Sequence, residues 1–511
     1  MRTEHSWTEL RRGLVDLRSL LAFRGSALTR RTRVRLRVAG GLVLTLTLAS
    51  VVVPAYLKGP LDSRRVGEFV AILPSMYLGF LTLAVLAAIA SGGGREVVPR
   101  DQVVSYPISS VTEHFGALLL APLNIAWLIQ GWTVLGMTTY VLGPRGLAVA
   151  VVPLFAWIAF STALGQALGW VFEGIRRGAH GILISRLIAG AALATVVILV
   201  LTDRFVPLLD QSPTVRLYLA AGYGTGHQWG RWSAYVVVLL LLVAVTVIAG
   251  LIPARWALHR PLREELRLES GHIEPRSNPT SDLRAMVRID RSSVWRAVPL
   301  RRGLIVLAFM PGLVAVAGRL EWNMITILPG LVASGGALLF GVNTWCLDGR
   351  GALWRDSLPV SSTAAYYAKV IVLFEVLLAA AGFTIVLAAL RAGVPTSAEL
   401  FSSVAAGIVV ATQVVATSMR WSVERPFAID MRSARATPAP PVVMAGYSAR
   451  LALKTTVVGM VFSGTAVADS WVVPAVVAVP LLAWSTWRVM RTASLWAVPE
   501  TRARVVSVVA T

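Results

Sequence analysis

Twelve apolar runs, each close to the length that crosses lipid, decide what this chain can fold into. They lie at residues 36–57, 69–90, 115–137, 147–170, 182–201 and 234–253. Six more lie at 303–318, 324–345, 367–390, 402–419, 448–468 and 472–487. A helix needs about 20 apolar residues to traverse the hydrocarbon core. Lipid cannot satisfy exposed backbone groups, so runs of this length predict helices. Composition agrees, since 56% of the 511 residues are hydrophobic and only 14% are charged, outside the usual range of soluble domains. The expected fold class is an all-α integral membrane protein with about twelve transmembrane helices.

Charge orients the runs. The formal net charge is +22, which on its own invites a nucleic-acid reading. With the N-terminus inside, however, 39 of the 48 basic residues fall on or beside inner segments and nine in outer loops. That bias predicts cytoplasmic termini and contact with anionic membrane lipids, with no nucleic acid. About 35 arginine-rich residues precede the first run without a small-residue cleavage pattern, so a cleavable signal peptide is not expected.

The runs form two sets of six. Asp16-Leu17-Arg18 matches Asp282-Leu283-Arg284, and Ser26, Arg30 and Arg35 match Ser292, Arg296 and Arg301 at the same offset. Six runs per half give both halves one orientation, as parallel repeats require. The expected divisions are a first half at 1–254, a cytoplasmic linker at 255–281 and a second half at 282–511. Each half opens with a basic, partly amphipathic segment, 10–37 and 282–302, suited to the membrane interface.

A polar phrase recurs after the second run of each half. Arg100-Asp101 precedes Pro107, Ser109 and Ser110; Arg355-Asp356 precedes Pro359, Ser361 and Ser362. Helix capping accounts for the serines but not for the Arg-Asp pairs. A short cytoplasmic helix presenting the phrase to a partner accounts for both. Pairs such as Tyr106 against Leu358 and His114 against Tyr366 differ, so the two grips are expected to be unequal.

Several chemistries find no footing. None of the three lysines, Lys58, Lys369 and Lys454, completes a phosphate-binding loop. No two of the six histidines have helical metal-ligand spacing. Cys346 stands alone. Glu375 is the clearest ionisable residue inside a run, and should face the bundle and be paired or protonated. Gly165 and Gly169, preceded by Ser161, mark a close helix contact. The outer segment 203–233 reads either as a short helix that dips back or as an ordinary loop.

On these residues the chain resembles the membrane subunit of an ATP-binding-cassette (ABC) exporter, with both halves fused and an elbow helix opening each. The resemblance covers nearly the whole chain. It implies two copies of a separate ATPase, which would hold ATP and Mg, with no cofactor in this chain. It assigns one copy to Arg100, Asp101, Ser109 and Ser110 and the other to Arg355, Asp356, Ser361 and Ser362. It implies outward movement of amphipathic or hydrophobic compounds across a bacterial cell membrane. A substrate cavity is expected near Met76, Tyr77, Phe80, Asn343, Trp345 and Glu375. The loop between the last two runs is short, so the second half departs from the family's pattern there. Two other classes compete. A proton-coupled secondary transporter would carry a characteristic inner-loop phrase that residues 92–101 and 349–356 do not fit. A lipid-linked glycosyltransferase would need acidic companions for Asp62 and Glu68.

Overall fold

The computed structural model describes residues 2–26, 30–57, 63–90, 108–123, 125–260, 279–317, 319–339, 341–428, 439, 441–468 and 470–510. The chain divides into two compact units, Met1–Gly271 and His272–Thr511. No strand occurs among the described residues.

The first unit contains α1 (Arg2–Ser26), α2 (Arg30–Tyr56), α3 (Ser63–Ala90), α4 (Ser110–Leu120), α5 (Ile125–Arg176), α6 (Gly181–Leu201), α7 (Phe205–Asp210), α8 (Val215–Thr225), α9 (Trp229–Ala249) and α10 (Leu251–Leu258). The second contains α11 (Asp282–Arg296), α12 (Val298–Ala317), α13 (Trp322–Ile325), α14 (Leu328–Leu339), α15 (Gly351–Asp356), α16 (Ser362–Ala392), α17 (Ser397–Glu424), α18 (Pro441–Ala466), α19 (Val472–Ala497) and α20 (Pro499–Ala510).

Among the described residues, seven helical stretches are long and apolar enough to cross a membrane, or eight if the bent pair Trp322–Ala337 and Gly341–Leu347 forms one span. The protein is therefore multi-pass and helical. The count differs from twelve runs for physical reasons. Two runs fall largely within α5, whose helical backbone breaks at Gly143 (φ 68°, ψ −173°), just before Pro144. The apolar parts of α2 and α12 shorten to Gly40–Tyr56 and Gly303–Val316. The run in α18 carries Arg450 and Lys454.

In the first unit α3 packs along α5. Tyr77 donates or accepts at Thr138 (3.0 Å), and Trp157 Nε1 donates to the Tyr77 carbonyl (3.1 Å). The segment 203–233 folds into α7 and α8. Leu217, Ala220 and Ala221 on α8 are buried, and Thr214 Oγ1 donates to the Pro74 carbonyl (2.8 Å). At the other end of α5, Glu173 is buried against Arg177 (3.0 Å), which also donates to the Ala257 carbonyl (2.7 Å).

In the second unit α17 is the central helix, buried along most of its length. Its small residues admit neighbours closely, and its hydroxyls are answered: Ser418 meets Tyr447 (2.6 Å) and Ser402 meets Thr465 (3.0 Å). Thr396 and Glu399 close a capping box at its start, satisfying amides that the first turn leaves open.

Candidate functional site

The two serine phrases build the same local structure. Ser109 has extended backbone and its Oγ accepts from the Thr112 amide (3.1 Å), capping α4. Ser361 does the same for the Ala364 amide (3.2 Å) at the start of α16. Five residues beyond each cap, a ring reaches a carbonyl of its unit's late helix. His114 Nε2 donates to Val247 on α9 (3.0 Å), and the Tyr366 hydroxyl donates to Val489 on α19 (3.1 Å). The unlike pair His114 and Tyr366 thus does equivalent work inside each unit. Ser361→Ala should cost about 1 kcal/mol of stability through the lost cap, read as a lower unfolding midpoint of the purified protein.

An opening helix rests on each capped helix. On α1, a Cβ at Gly13 would lie 2.6 Å from Val111 Cγ1, so glycine lets α1 approach α4. In the second unit α11 is amphipathic, with Met286, Val287, Asp290 and Val294 buried. Ser281 caps it by accepting from the Arg284 amide.

Asp290 opens a buried charge cluster under the second phrase. Arg355 grips it with both nitrogens, Nη1 to Oδ1 at 2.6 Å and Nη2 to Oδ2 at 2.9 Å. Lys369 Nζ on α16 donates to Asp290 Oδ1 (2.8 Å) and Asp348 Oδ1 (2.9 Å), and Arg355 Nη1 also reaches Asp348 (3.1 Å). Two carboxylates therefore balance two cations in a largely buried site. Burial alone would raise the Asp290 carboxyl, but Lys369 and Arg355 hold it below the ordinary value. Burial likewise disfavours the Arg355 charge, and its two carboxylates more than offset that. Trp345 stacks on Trp496 with centroids 4.0 Å apart, and Lys369 lies 5.5 Å from the Trp345 ring centre.

The cluster fixes α15 from beneath. Ala352 and Arg355 are buried, whereas Leu353 and Trp354 are 60% and 62% exposed. Asp356 pairs with Arg502 of α20 (3.0 Å), whose Val505, Val506 and Val509 are buried. The result is a short helix anchored by ion pairs at its base, with two apolar side chains exposed.

The remaining expected site residues fall in different places. Arg100 and Asp101 lie outside the described residues. Ser110 and Ser362 begin their helices, after the capping serines. Arg355, expected as a contact, is turned inward, because Asp290 and Asp348 supply the counter-charges its burial requires. Tyr77 and Phe80 are packed in the core of the first unit, where Phe80 meets Trp127 edge-on; Met76 is half-buried beside them. Asn343 donates to the Phe427 carbonyl (2.9 Å), and Trp345 belongs to the core of the second unit. Within their own units Tyr77, Phe80, Asn343 and Trp345 are buried, and Trp345 also lines a small pocket with Asp348, Arg355 and Trp496. Glu375 does not face inward either. Its carboxylate is 39% exposed and meets Arg291 of α11 at 2.6 Å, so α11 brings the counter-charge to the surface. Reading the sequence missed Asp290, Asp348, Lys369, Leu353, Trp354 and α20. Trp354, in a polar segment between runs, was the available signal.

No protein-family model, curated protein or solved structure matches the chain.

Proposed function

We propose that the chain is the permease of an ATP-driven exporter of the ABC kind, carrying amphipathic or hydrophobic compounds outward across a bacterial cell membrane. The observation that carries this reading is α15, with Arg355 buried beneath it and Leu353 and Trp354 exposed on it. A separate ATPase, present in two copies and holding ATP and Mg, would grip this tip and its counterpart around Arg100 and Asp101. A docking element that transmits force must be stiffly joined to the spans. The ion pairs from Arg355 to α11 and from Lys369 on α16 to the same carboxylate supply that stiffness. ATP binding would then bias the two halves between inward-open and outward-open arrangements.

Twelve crossings with both termini cytoplasmic fit this reading. Two cross within α5, at either side of Gly143, and the bent pair counts once. Helices α2, α12 and α18 add three to the six other long stretches. The matching serine caps and ring-to-carbonyl bonds support two parallel repeats.

Co-purification tests the reading. The intact chain should bring down a protein with a phosphate-binding loop, and ATP hydrolysis should require both. Leu353→Ala with Trp354→Ala should weaken that association by on the order of a hundredfold or more, the size expected when two apolar anchors are lost, while the thermal midpoint stays put. Transport that proceeds without any ATPase and stops when the proton gradient collapses would instead establish the secondary-transporter alternative.

A further inference from the structure

Along the exposed face of α11 runs an open groove of about 1020 Å³. Arg284, Arg288, Arg291 and Arg296 line it, with Trp295 and, from α16, Ile371. Trp295 is 63% exposed, and Arg284 Nη1 donates to Thr280 Oγ1 (2.9 Å). Four guanidinium groups lie along one helix, and Arg291 among them pairs with Glu375.

We propose that this groove is a binding site for one anionic phospholipid, with the phosphate among the arginines and the first methylenes against Ile371. Three features select that occupant. The guanidinium fork matches phosphate oxygens in pairs. An indole prefers the headgroup level of a bilayer. An arginine face above an apolar face is the pattern of a helix lying in the membrane interface. The Arg291–Glu375 pair pins α11 to α16, so the groove is built before lipid arrives. A free phosphate would use the arginines but leave Trp295 and Ile371 without a role. The inference needs the chain to be a membrane protein and does not depend on an ATPase partner.

Native mass spectrometry of the delipidated full-length protein tests it, with phosphatidylglycerol as probe. One phosphatidylglycerol per chain should bind, with phosphatidylcholine much weaker and excess inorganic phosphate a poor competitor. Near a membrane surface each arginine is worth about 1 kcal/mol, or roughly fivefold. Arg284→Gln with Arg288→Gln and Arg296→Gln should therefore weaken binding by on the order of a hundredfold. If the triple variant fails to accumulate, Arg296→Gln alone should still give about fivefold. Unchanged affinity in these variants, equal binding of phosphatidylcholine, or ready displacement by phosphate or an acidic peptide would overturn the assignment. Because no ATPase enters the measurement, its result is separate from that of the co-purification.

Discussion

Asp290→Ala is expected to cost about 3–5 kcal/mol, the usual penalty for stripping one partner from a buried ion pair. The carboxylate accepts three hydrogen bonds, two from Arg355 and one from Lys369. Without it, two cations share Asp348 in a largely buried site, since Lys369 is only 3% and Asp290 only 2% exposed. The loss should appear as a large fall in thermal midpoint and in the amount of intact protein recovered from membranes. A double substitution separates charge from packing. Asp290→Asn with Lys369→Met restores charge balance, with one cation facing one carboxylate, and should recover much of the lost stability. If the double variant is no better than Asp290→Ala, the charges are not what the site needs. The same logic bars Arg355→Glu as a probe of partner binding, because it would collapse the base of α15 before any contact was tested.

How much of this was legible depended on distance along the chain. The caps at Ser109 and Ser361 act within three residues, so the serine phrases announced them. The apolar runs announced helices for the same local reason. The charge cluster was not legible, since 79 residues separate Lys369 from Asp290 and each charge looked like an ordinary inner-face residue. Glu375 shows both sides. Its need for a counter-charge followed from its place in an apolar run, but Arg291 arrives from a helix 84 positions away. The aromatic residues of the second run pointed to a cavity because sequence places Tyr77 and Phe80 on a helix without saying which way they face. Packing against Thr138, Trp127 and Trp157 decided that.

Gly165→Ala and Gly169→Ala should each cost roughly 1–3 kcal/mol, the range for forcing atoms into a filled contact. A Cβ at Gly165 would lie 2.9 Å from the Ala84 carbonyl carbon and oxygen, and one at Gly169 would lie 3.0 Å from the Ala88 oxygen. Those neighbours are backbone, which cannot rotate aside as a side chain does, so α3 and α5 would have to separate. Gly79 on α3 and Gly131 on α5 provide the control, because among the described residues nothing lies within 4 Å of a Cβ at either. There the alanine variants should be neutral or stabilising by up to about 1 kcal/mol through helix propensity. Equal midpoints for Gly165→Ala and Gly79→Ala would remove the close contact. The two glycines also differ in a way that bears on function. Ala88 is two residues from the end of α3, immediately before the segment carrying Arg100 and Asp101, whereas Ala84 is more than a turn deeper. If that segment grips an ATPase, Gly169→Ala should impair co-purification more than Gly165→Ala at a similar loss of stability.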